Sequence, residues 1–204
     1  MVRPRADNYQ ERRSEILDAA ASIFAERGFD GTSTSAIALK CGVSKALLYH
    51  YFASKEEILF EMLVTHCQFL VASAKATLRE NDSAEEQLAS VVGELISLYM
   101  SSQDKHIALM NNLKSLSAEQ QKEIKELERT LVQIIKGIVA KLRPELSEPL
   151  QTSLAMYLMG AINWTYTWFK PEGPVSSEQF AKLASSMFLD GLNRVELPKI
   201  IDKL

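Results

Sequence analysis

The chain has 204 residues, of which 47% are hydrophobic and 24% are charged, and it contains two cysteines. This length suits one larger domain or two small ones, and the composition argues against long disordered stretches. Glu, Lys, His or Gln interrupts every apolar run well before about 18 residues, so the sequence predicts no membrane span. The N-terminus lacks the apolar core of a signal peptide, which points to the cytoplasm.

Charge is unevenly distributed, although the net charge is only −3. Residues 1–55 carry eight Lys/Arg and six Asp/Glu, a net of +2, whereas residues 56–204 carry 15 and 20, a net of −5. The first turns contain Arg3, Arg5, Arg12 and Arg13. A mildly basic head on an acidic body fits a small DNA-contacting module attached to a larger domain with another task.

Helical periodicity runs through almost the whole chain, and no alternating strand pattern with hairpin turns is present. Ser33, Ser44 and Ser54 stand where side-chain caps would begin three of the helices, and the Ser54–Glu57 spacing predicts a capping box. The predicted helices span about 9–27, 34–40, 45–52, 55–80, 84–101, 105–115, 118–143, 148–169 and 177–195.

The last two predicted helices, 148–169 and 177–195, are apolar over a wide arc. An arc of this width indicates burial on two sides, against the domain and against a second subunit. The 118–143 helix differs, because its apolar residues form a narrow seam opposite a charged face, which is typical of packing inside one domain.

The second and third helices are short, are joined by the tetrapeptide 41–44, and follow a longer helix, which describes a three-helix DNA-binding unit. The third helix has four consecutive aromatic or imidazole rings, Tyr49 to Phe52, and a helical projection shows which of them point inward. With Leu48 at the centre of the buried face, Tyr51 and Phe52 also point inward.

The opposite face of this third helix suits the major groove of DNA. Ala46 and His50 lie opposite Leu48, and Leu47 and Tyr49 lie on the flanks. A small Ala46 allows close approach, Leu47 can meet a thymine methyl group, and Tyr49 and His50 can donate hydrogen bonds to phosphates or base edges.

Four further polar residues are candidates for phosphate contact. Lys45 and Lys55 begin helices, where a lysine opposes the helix dipole unless an anion binds beside it. Ser33 and Thr34 at the start of the second helix could bind phosphate, but as helix caps they need no DNA.

The segment GFDGTSTSAIALKCGVSKALLYHYFASKEEIL, residues 28–59, resembles the N-terminal signature of the TetR (tetracycline-repressor) family of bacterial transcriptional regulators. The matching residues are Gly28, Phe29, Thr32, Thr34, Ile37, Ala38, Gly42, Val43, Ser44, Leu48, Tyr49, Phe52, Lys55 and Glu56. Two positions depart from the family pattern: Cys41 stands where Ala is usual, and Ala46 where Gly is frequent. Both residues are small and leave the fold expectation intact.

The resemblance implies an all-α fold of about nine helices, with a helix-turn-helix DNA-binding domain over 1–55 and an effector-binding and dimerisation domain over 56–204. It implies a homodimer through the helices near 148–169 and 177–195, which reads a palindromic operator in double-stranded DNA. By resemblance, Thr34, Lys45, Tyr49, His50 and Lys55 correspond to DNA-contacting positions.

Large apolar or aromatic residues on the central helices are the candidates for an effector pocket. They are Phe60, Phe69, Tyr99, Met110, Leu113, Met156, Trp164 and Trp168. In the segment NWTYTWFKPEGP, residues 163–174, Trp164 and Trp168 are four apart and would share a helix face, and the Asn163 amide needs a partner.

This segment resembles, less specifically, one in TetR-family regulators that sense acyl-CoA thioesters. The alternatives therefore stay open: an acyl-CoA, another hydrophobic small molecule, or no physiological small-molecule ligand. Lys170 and Arg79 are candidate cations for the phosphates of an acyl-CoA.

Two other classes of protein are alternatives for an all-helical chain, an all-helical enzyme and an interaction scaffold without specific DNA binding. A di-iron bundle needs Glu-x-x-His pairs, and the residues three before the histidines are Leu47, Leu63 and Gln103. No Gly-rich phosphate loop and no G-x-S-x-G elbow is present. The sequence predicts no catalytic residue, no metal site and no cofactor.

Overall fold

The computed structural model describes residues 5–170 and 172–194, with side chains from residue 8 onward. Over these residues the chain is all helical, with nine α-helices and no strand, as predicted. Arg3 and Val195, which entered the sequence predictions, lie outside the described residues. The helices are α1 (Arg5–Arg27), α2 (Thr34–Lys40), α3 (Lys45–Tyr51), α4 (Lys55–Ala76), α5 (Ala84–Ser101), α6 (Gln103–Asn112), α7 (Ala118–Leu142), α8 (Glu148–Asn163) and α9 (Ser177–Arg194).

Several helix ends differ from the sequence prediction, and α1 begins at Arg5 rather than near residue 9. Helix α4 ends at Ala76 rather than near residue 80, because the Thr77 hydroxyl donates to the Ala74 carbonyl and closes the last turn. Helix α6 continues as a 3₁₀ turn over Leu113–Ser115, and α8 as a 3₁₀ turn over Trp164–Thr167. A 3₁₀ turn rotates successive side chains by a larger step than an α-helix, so residues four apart no longer share a face.

The first core joins the three N-terminal helices to the start of α4. It contains apolar residues from α1, α2, α3, α4, α6 and α7, including Phe24, Ile37, Leu48 and Phe52. Since Ile58 belongs to this same cluster, the core crosses the predicted domain boundary between residues 55 and 56.

The second core fills the larger part of the molecule. It contains the end of α4 with α5, α7, α8 and α9, where α5 packs against α9 and α7 packs against α4 and α8. Among the described helices, only α4 is long and apolar enough to cross a membrane by length and composition, and half of that window is buried. Its apolar character follows from its place in both cores.

The turn between α1 and α2 is held by side chains from two other helices. Gly28 supplies the left-handed residue, with φ of 71°, and the Thr32 hydroxyl donates to its carbonyl at 2.7 Å. From α6, the Asn112 Oδ1 atom accepts a hydrogen bond from the Phe29 backbone N–H at 2.8 Å. From α4, the Lys55 Nζ atom donates to the Phe29 and Thr32 carbonyls at 2.8 and 2.9 Å.

The Asn112 contact generates a stability prediction. Asn112→Ala leaves the buried Phe29 N–H without a partner, which should lower the free energy of unfolding by about 1–3 kcal/mol. Urea denaturation followed by circular dichroism measures this change. The neighbouring Asn111 is exposed, and Asn111→Ala should change the free energy by less than about 0.5 kcal/mol. Equal effects of the two variants would contradict the structural role of Asn112.

Candidate nucleic-acid interface and effector cavity

The N-caps of α2 and α3 are the serines that the sequence predicted. The Ser33 hydroxyl accepts from the Ala36 N–H, and the Ser44 hydroxyl accepts from the Leu47 N–H, each at 3.1 Å. Gly42 provides the tight turn between the helices, with φ of 64°. Since the Ser33 and Ser44 oxygens cap helices, they are already occupied without DNA.

The inner face of α3 fixes the helix on the core. Leu48 and Phe52 are each 1% exposed. Tyr51 is only partly buried: it packs on the core and stacks on Tyr9 of α1, with ring centroids 4.6 Å apart. The stacking partner was not foreseen, because a helical projection shows which way a ring points and not what lies beyond it.

The outer face of α3 is exposed and carries the predicted DNA-contacting side chains. Lys45, Ala46, Leu47, Tyr49 and His50 are all exposed. The Lys45 Nζ atom lies 5.8 Å from the centroid of the Tyr49 ring.

The Tyr49 hydroxyl lies 3.3 Å from the Thr34 hydroxyl, so α2 and α3 meet at this point. The structure therefore brings together residues from the start of α2 and along α3 on one exposed surface. We call Thr34, Lys45, Leu47, Tyr49 and His50 the α3 surface.

Lys55 differs from the expectation of a free phosphate-binding lysine. Two backbone carbonyls of the α1–α2 turn accept from its ammonium group, which also lies 3.9 Å from the centroid of the Phe29 ring. This geometry gives Lys55 a structural role in the α1–α2 turn, and its contact with DNA phosphate stays a prediction. Arg13 is likewise engaged, since it pairs with Glu61 and lies over Phe52.

The larger domain contains a cavity of about 210 Å³. Three of the predicted effector residues line it, namely Tyr99 of α5, Met110 of α6 and Met156 of α8. The other lining residues come from α4, α6, α7 and α8, and they are Cys67, Leu70, His106, Leu109, Glu128, Leu131, Val132, Met159, Gly160 and Asn163. We call this space the α6 cavity.

The other five effector candidates do not line the α6 cavity. Phe60 and Leu113 pack on the N-terminal core, and Phe69 is exposed. Trp164 and Trp168 are 62% and 53% exposed, and the 3₁₀ turn between them separates the two rings. The prediction that they share one helix face is therefore wrong.

Each tryptophan has its own neighbours. The Trp164 ring packs edge-on against Tyr166 at 6.0 Å, whereas Trp168 packs against Phe169 and Phe180 at 5.9 and 5.4 Å. Trp168 lines an open apolar groove of about 410 Å³ with Lys170. This groove lies apart from the α6 cavity and shares no lining residue with it.

His106 is the most unusual residue of the α6 cavity. It is 1% exposed, and its ring stacks on Tyr99 with centroids 3.9 Å apart. No described protein atom hydrogen-bonds either of its ring nitrogens, and the same is true of Nε2 of the neighbouring His66. The Asn163 Oδ1 atom is also buried without a hydrogen-bond partner.

Burial sets the protonation of these groups. It lowers the pKa of His66 to about 3 and that of His106 to about 4, so both rings are neutral at pH 7. The Asn163 backbone has the opposite effect and raises the pKa of His106, but it forms no hydrogen bond with either ring nitrogen. Burial raises the pKa of Glu128, and burial followed by the charge of Glu128 raises the pKa of the Cys67 thiol to about 12.

Four residues in or beside the cavity were not predicted, namely His66, Cys67, His106 and Glu128. The predicted residues are large and apolar, whereas these four are polar or small. A signal was present for Asn163, whose amide stands in an apolar helix and needs a partner. Among the described residues no group of three or more His, Cys, Asp or Glu could hold a metal ion.

A capped α2–α3 pair with an exposed recognition surface, joined to a helical domain with a cavity, defines a helix-turn-helix regulator with a ligand-binding domain. The family model for bacterial regulatory proteins of the tetR family matches residues 16–62, and the model for the tetracyclin repressor-like C-terminal domain matches residues 81–192. The chain belongs to the TetR family of bacterial transcriptional regulators, and it is a ligand-responsive DNA-binding protein.

Known proteins resemble the chain over most of its length. The HTH-type transcriptional repressor KstR2 of Mycolicibacterium smegmatis is 28% identical over 194 residues, which cover 90% of this chain and 91% of KstR2. A crystal structure of a TetR-family regulator from Bordetella parapertussis 12822 is 34% identical, with a TM-score of 0.84, covering 91% of this chain and 98% of that one. AibR, solved in complex with isovaleryl coenzyme A and operator DNA, is 25% identical, with a TM-score of 0.75 and coverages of 86% and 97%.

The buried histidines predict a pH dependence of stability. As the pH falls below about 6.5, the unfolded chain binds a proton at each ring, whereas the folded chain does so only near pH 4 and 3. The free energy of unfolding should therefore fall with decreasing pH from about 6.5 to 4, by up to about 1.4 kcal/mol per pH unit for each ring. Urea denaturation between pH 7 and 5 measures this slope.

The comparison variant is the double change His66→Phe and His106→Phe, which should flatten the slope over this range. Each single variant should remove about half of the difference, because each ring contributes one proton. A double variant with the same slope as the unchanged protein would show that these rings titrate normally.

Proposed function

We propose that the protein is a homodimeric repressor whose α3 surface reads a palindromic operator and whose DNA binding is released by a hydrophobic effector. The observation that carries the proposal is the division of α3. Leu48 and Phe52 anchor its inner face in the core, while the α3 surface points away from the protein. A helix of about seven residues spans roughly 10 Å, which fits the width of the major groove.

The residues of the α3 surface divide into two roles in this proposal. Lys45 at the start of α3 contacts phosphate, where the backbone amides of the helix start also favour an anion. Leu47 and Tyr49 face base edges, and the contact from Tyr49 to Thr34 sets the direction of the phenol. Neither role requires any change in the residues that anchor the helix.

The α6 cavity is the proposed effector site. Its volume of about 210 Å³ is below the range of roughly 300–1,000 Å³ that is usual for drug-sized ligands, which favours a small group such as a short acyl chain. AibR supports this class, since it was solved with isovaleryl coenzyme A. Since no Lys or Arg is among the described lining residues, the phosphates of a coenzyme A would lie outside the cavity.

Helix α6 provides a route from the cavity to the DNA-binding helices. His106, Leu109 and Met110 line the cavity, and Asn112 at the end of the same helix holds the Phe29 N–H in the α1–α2 turn. A ligand that displaces α6 would act on this hydrogen bond directly. In the proposed release of DNA, this hydrogen bond is the physical link between the α6 cavity and the DNA-binding helices.

Helices α8 and α9 are the proposed dimer interface. They expose large apolar side chains in the described structure, and these are Met156, Tyr157, Leu183 and Met187. Exposed apolar side chains of this kind are typical of a subunit interface. A protein that reads chromosomal DNA in this way acts in the bacterial cytoplasm without catalysis.

The proposal predicts different effects for two changes on the α3 surface. Lys45→Ala should weaken binding to every DNA sequence and lower the slope of log affinity against log salt by about 1, because one phosphate contact is lost. Leu47→Ala should instead change which operators are preferred. Fluorescence anisotropy with the protein's own promoter region and with random DNA, at several salt concentrations, measures both effects.

Lys75→Ala is the matched control. Lys75 is exposed on α4, far along the chain from the α3 surface, and its substitution removes the same charge. It should leave both the affinity and the salt slope nearly unchanged. A uniform loss of affinity in Leu47→Ala would remove Leu47 from base readout, and no preference of the unchanged protein for its promoter would contradict specific repression.

The dimer proposal predicts that a charge on α8 or α9 separates the subunits. Tyr157 is 71% and Met187 is 67% exposed, and the double change Tyr157→Glu and Met187→Glu would bury four carboxylates in a symmetric interface. Analytical ultracentrifugation should show a monomer. Leu39 on α2 is 84% exposed, so Leu39→Glu is the control that should remain dimeric. A dimeric double variant would place the interface elsewhere.

A further inference from the structure

The α6 cavity contains polar groups that the protein itself leaves without partners. His106 lines the cavity, is almost fully buried, and has no hydrogen-bond partner at either ring nitrogen among the described residues. Asn163 also lines it and has a buried, unpaired Oδ1 atom. A buried polar atom without a hydrogen bond destabilises the protein, so a ligand that supplies the missing bond gains binding free energy.

The His106 ring is held in a fixed orientation. Tyr99 stacks on one of its faces at 3.9 Å, while Tyr166 and His66 meet it edge-on at 6.0 and 6.2 Å. These contacts occupy the face of the ring and leave the nitrogens at its edge unpaired. A neutral imidazole has one donor and one acceptor nitrogen, so it can bond to a carbonyl, a hydroxyl or an amide.

The charges around the cavity select against anions. Glu128 is the acidic residue among the described lining residues, and its charge reaches Cys67 and Tyr99. No Lys or Arg is found among these lining residues, and the cation that acts on Glu128, Lys125, is not one of them. A carboxylate ligand would therefore lose its hydration, meet the charge of Glu128 and find no cation in the described lining.

We propose that the α6 cavity recognises an uncharged ligand group with a hydrogen-bonding oxygen, such as an amide, thioester, ketone or hydroxyl. His106 is its polar partner, and Glu128 excludes the corresponding free acid. The inference deepens the proposed effector function, since it names the ligand chemistry of the same cavity. A cavity with this selectivity would let the regulator respond to an activated or reduced acyl compound and not to the free acid.

The test uses three probes with the same branched five-carbon body, which differ only at the head group. They are 3-methylbutanamide, S-methyl 3-methylbutanethioate and the 3-methylbutanoate anion. Titration of the full-length, DNA-free protein at pH 7.5, followed by ligand-observed NMR, gives an affinity for each probe. The amide and the thioester should bind at least about tenfold more tightly than the anion.

Two variants on α6 separate the role of His106 from a general effect of a substitution on this helix. His106→Phe keeps a ring that can stack on Tyr99, and it should weaken binding of the amide by about two- to tenfold, the value of one hydrogen bond. Asn111→Ala is the control, because Asn111 is exposed on the same helix and does not line the cavity. It should leave the amide affinity unchanged.

Glu128→Gln tests the exclusion of anions, and it keeps the inference open to contradiction if His106→Phe does not fold. Loss of the charge should raise the affinity for 3-methylbutanoate by about tenfold and leave the amide unaffected. An anion that binds the unchanged protein as tightly as the amide, or a Glu128→Gln variant without gain, would overturn the inference. Neutral probes that fail to bind would also overturn it.

These measurements need no DNA, so their outcome is independent of operator binding. A protein that binds the neutral probes but shows no operator preference would retain the ligand inference and lose the repressor proposal. Specific operator binding without selection of the neutral probes would have the opposite meaning.

Discussion

The hydrogen bond from the Phe29 N–H to the Asn112 side chain is the contact on which the rest of the arrangement depends. It joins the α1–α2 turn to α6, which belongs to the larger domain. Lys55 holds the same turn from α4 through two carbonyls. With its N–H and carbonyl groups bound by side chains from other helices, this turn sets the position of α2, and α2 in turn sets that of α3.

The same helix that holds the turn also lines the cavity. His106 and Asn112 are six residues apart on α6, or roughly 9 Å along the helix axis. His106 needs a partner that the protein does not supply, whereas Asn112 has both of its amide atoms bonded, to Phe29 and to Ala108. Asn112 at the end of α6 is therefore bonded to the DNA-binding helices, whereas His106 would be completed by the proposed ligand.

Local rules predicted the DNA-binding half well and the effector half poorly. Helix starts at Ser33 and Ser44 and the turn at Gly42 depend on residues within a few positions, so the sequence shows them directly. The α6 cavity depends on contacts between residues of five helices, α4 to α8, that are distant along the chain. The predicted apolar residues Tyr99, Met110 and Met156 line it, whereas His106 and Glu128 were not predicted, because burial of a polar side chain is decided by tertiary packing.

Lys55 and Trp164 show what a sequence motif leaves open about a side chain. The position of Lys55 matches a family of DNA-binding proteins, and its ammonium also binds two carbonyls of the α1–α2 turn, a contact that the motif does not reveal. Trp164 was paired with Trp168 by a four-residue step that holds only while the helix stays α-helical. The Thr165 hydroxyl donates to the Ile162 carbonyl within this turn. Because the helix changes to a 3₁₀ turn here, the two indole rings contact different neighbours. Neither ring lines the α6 cavity.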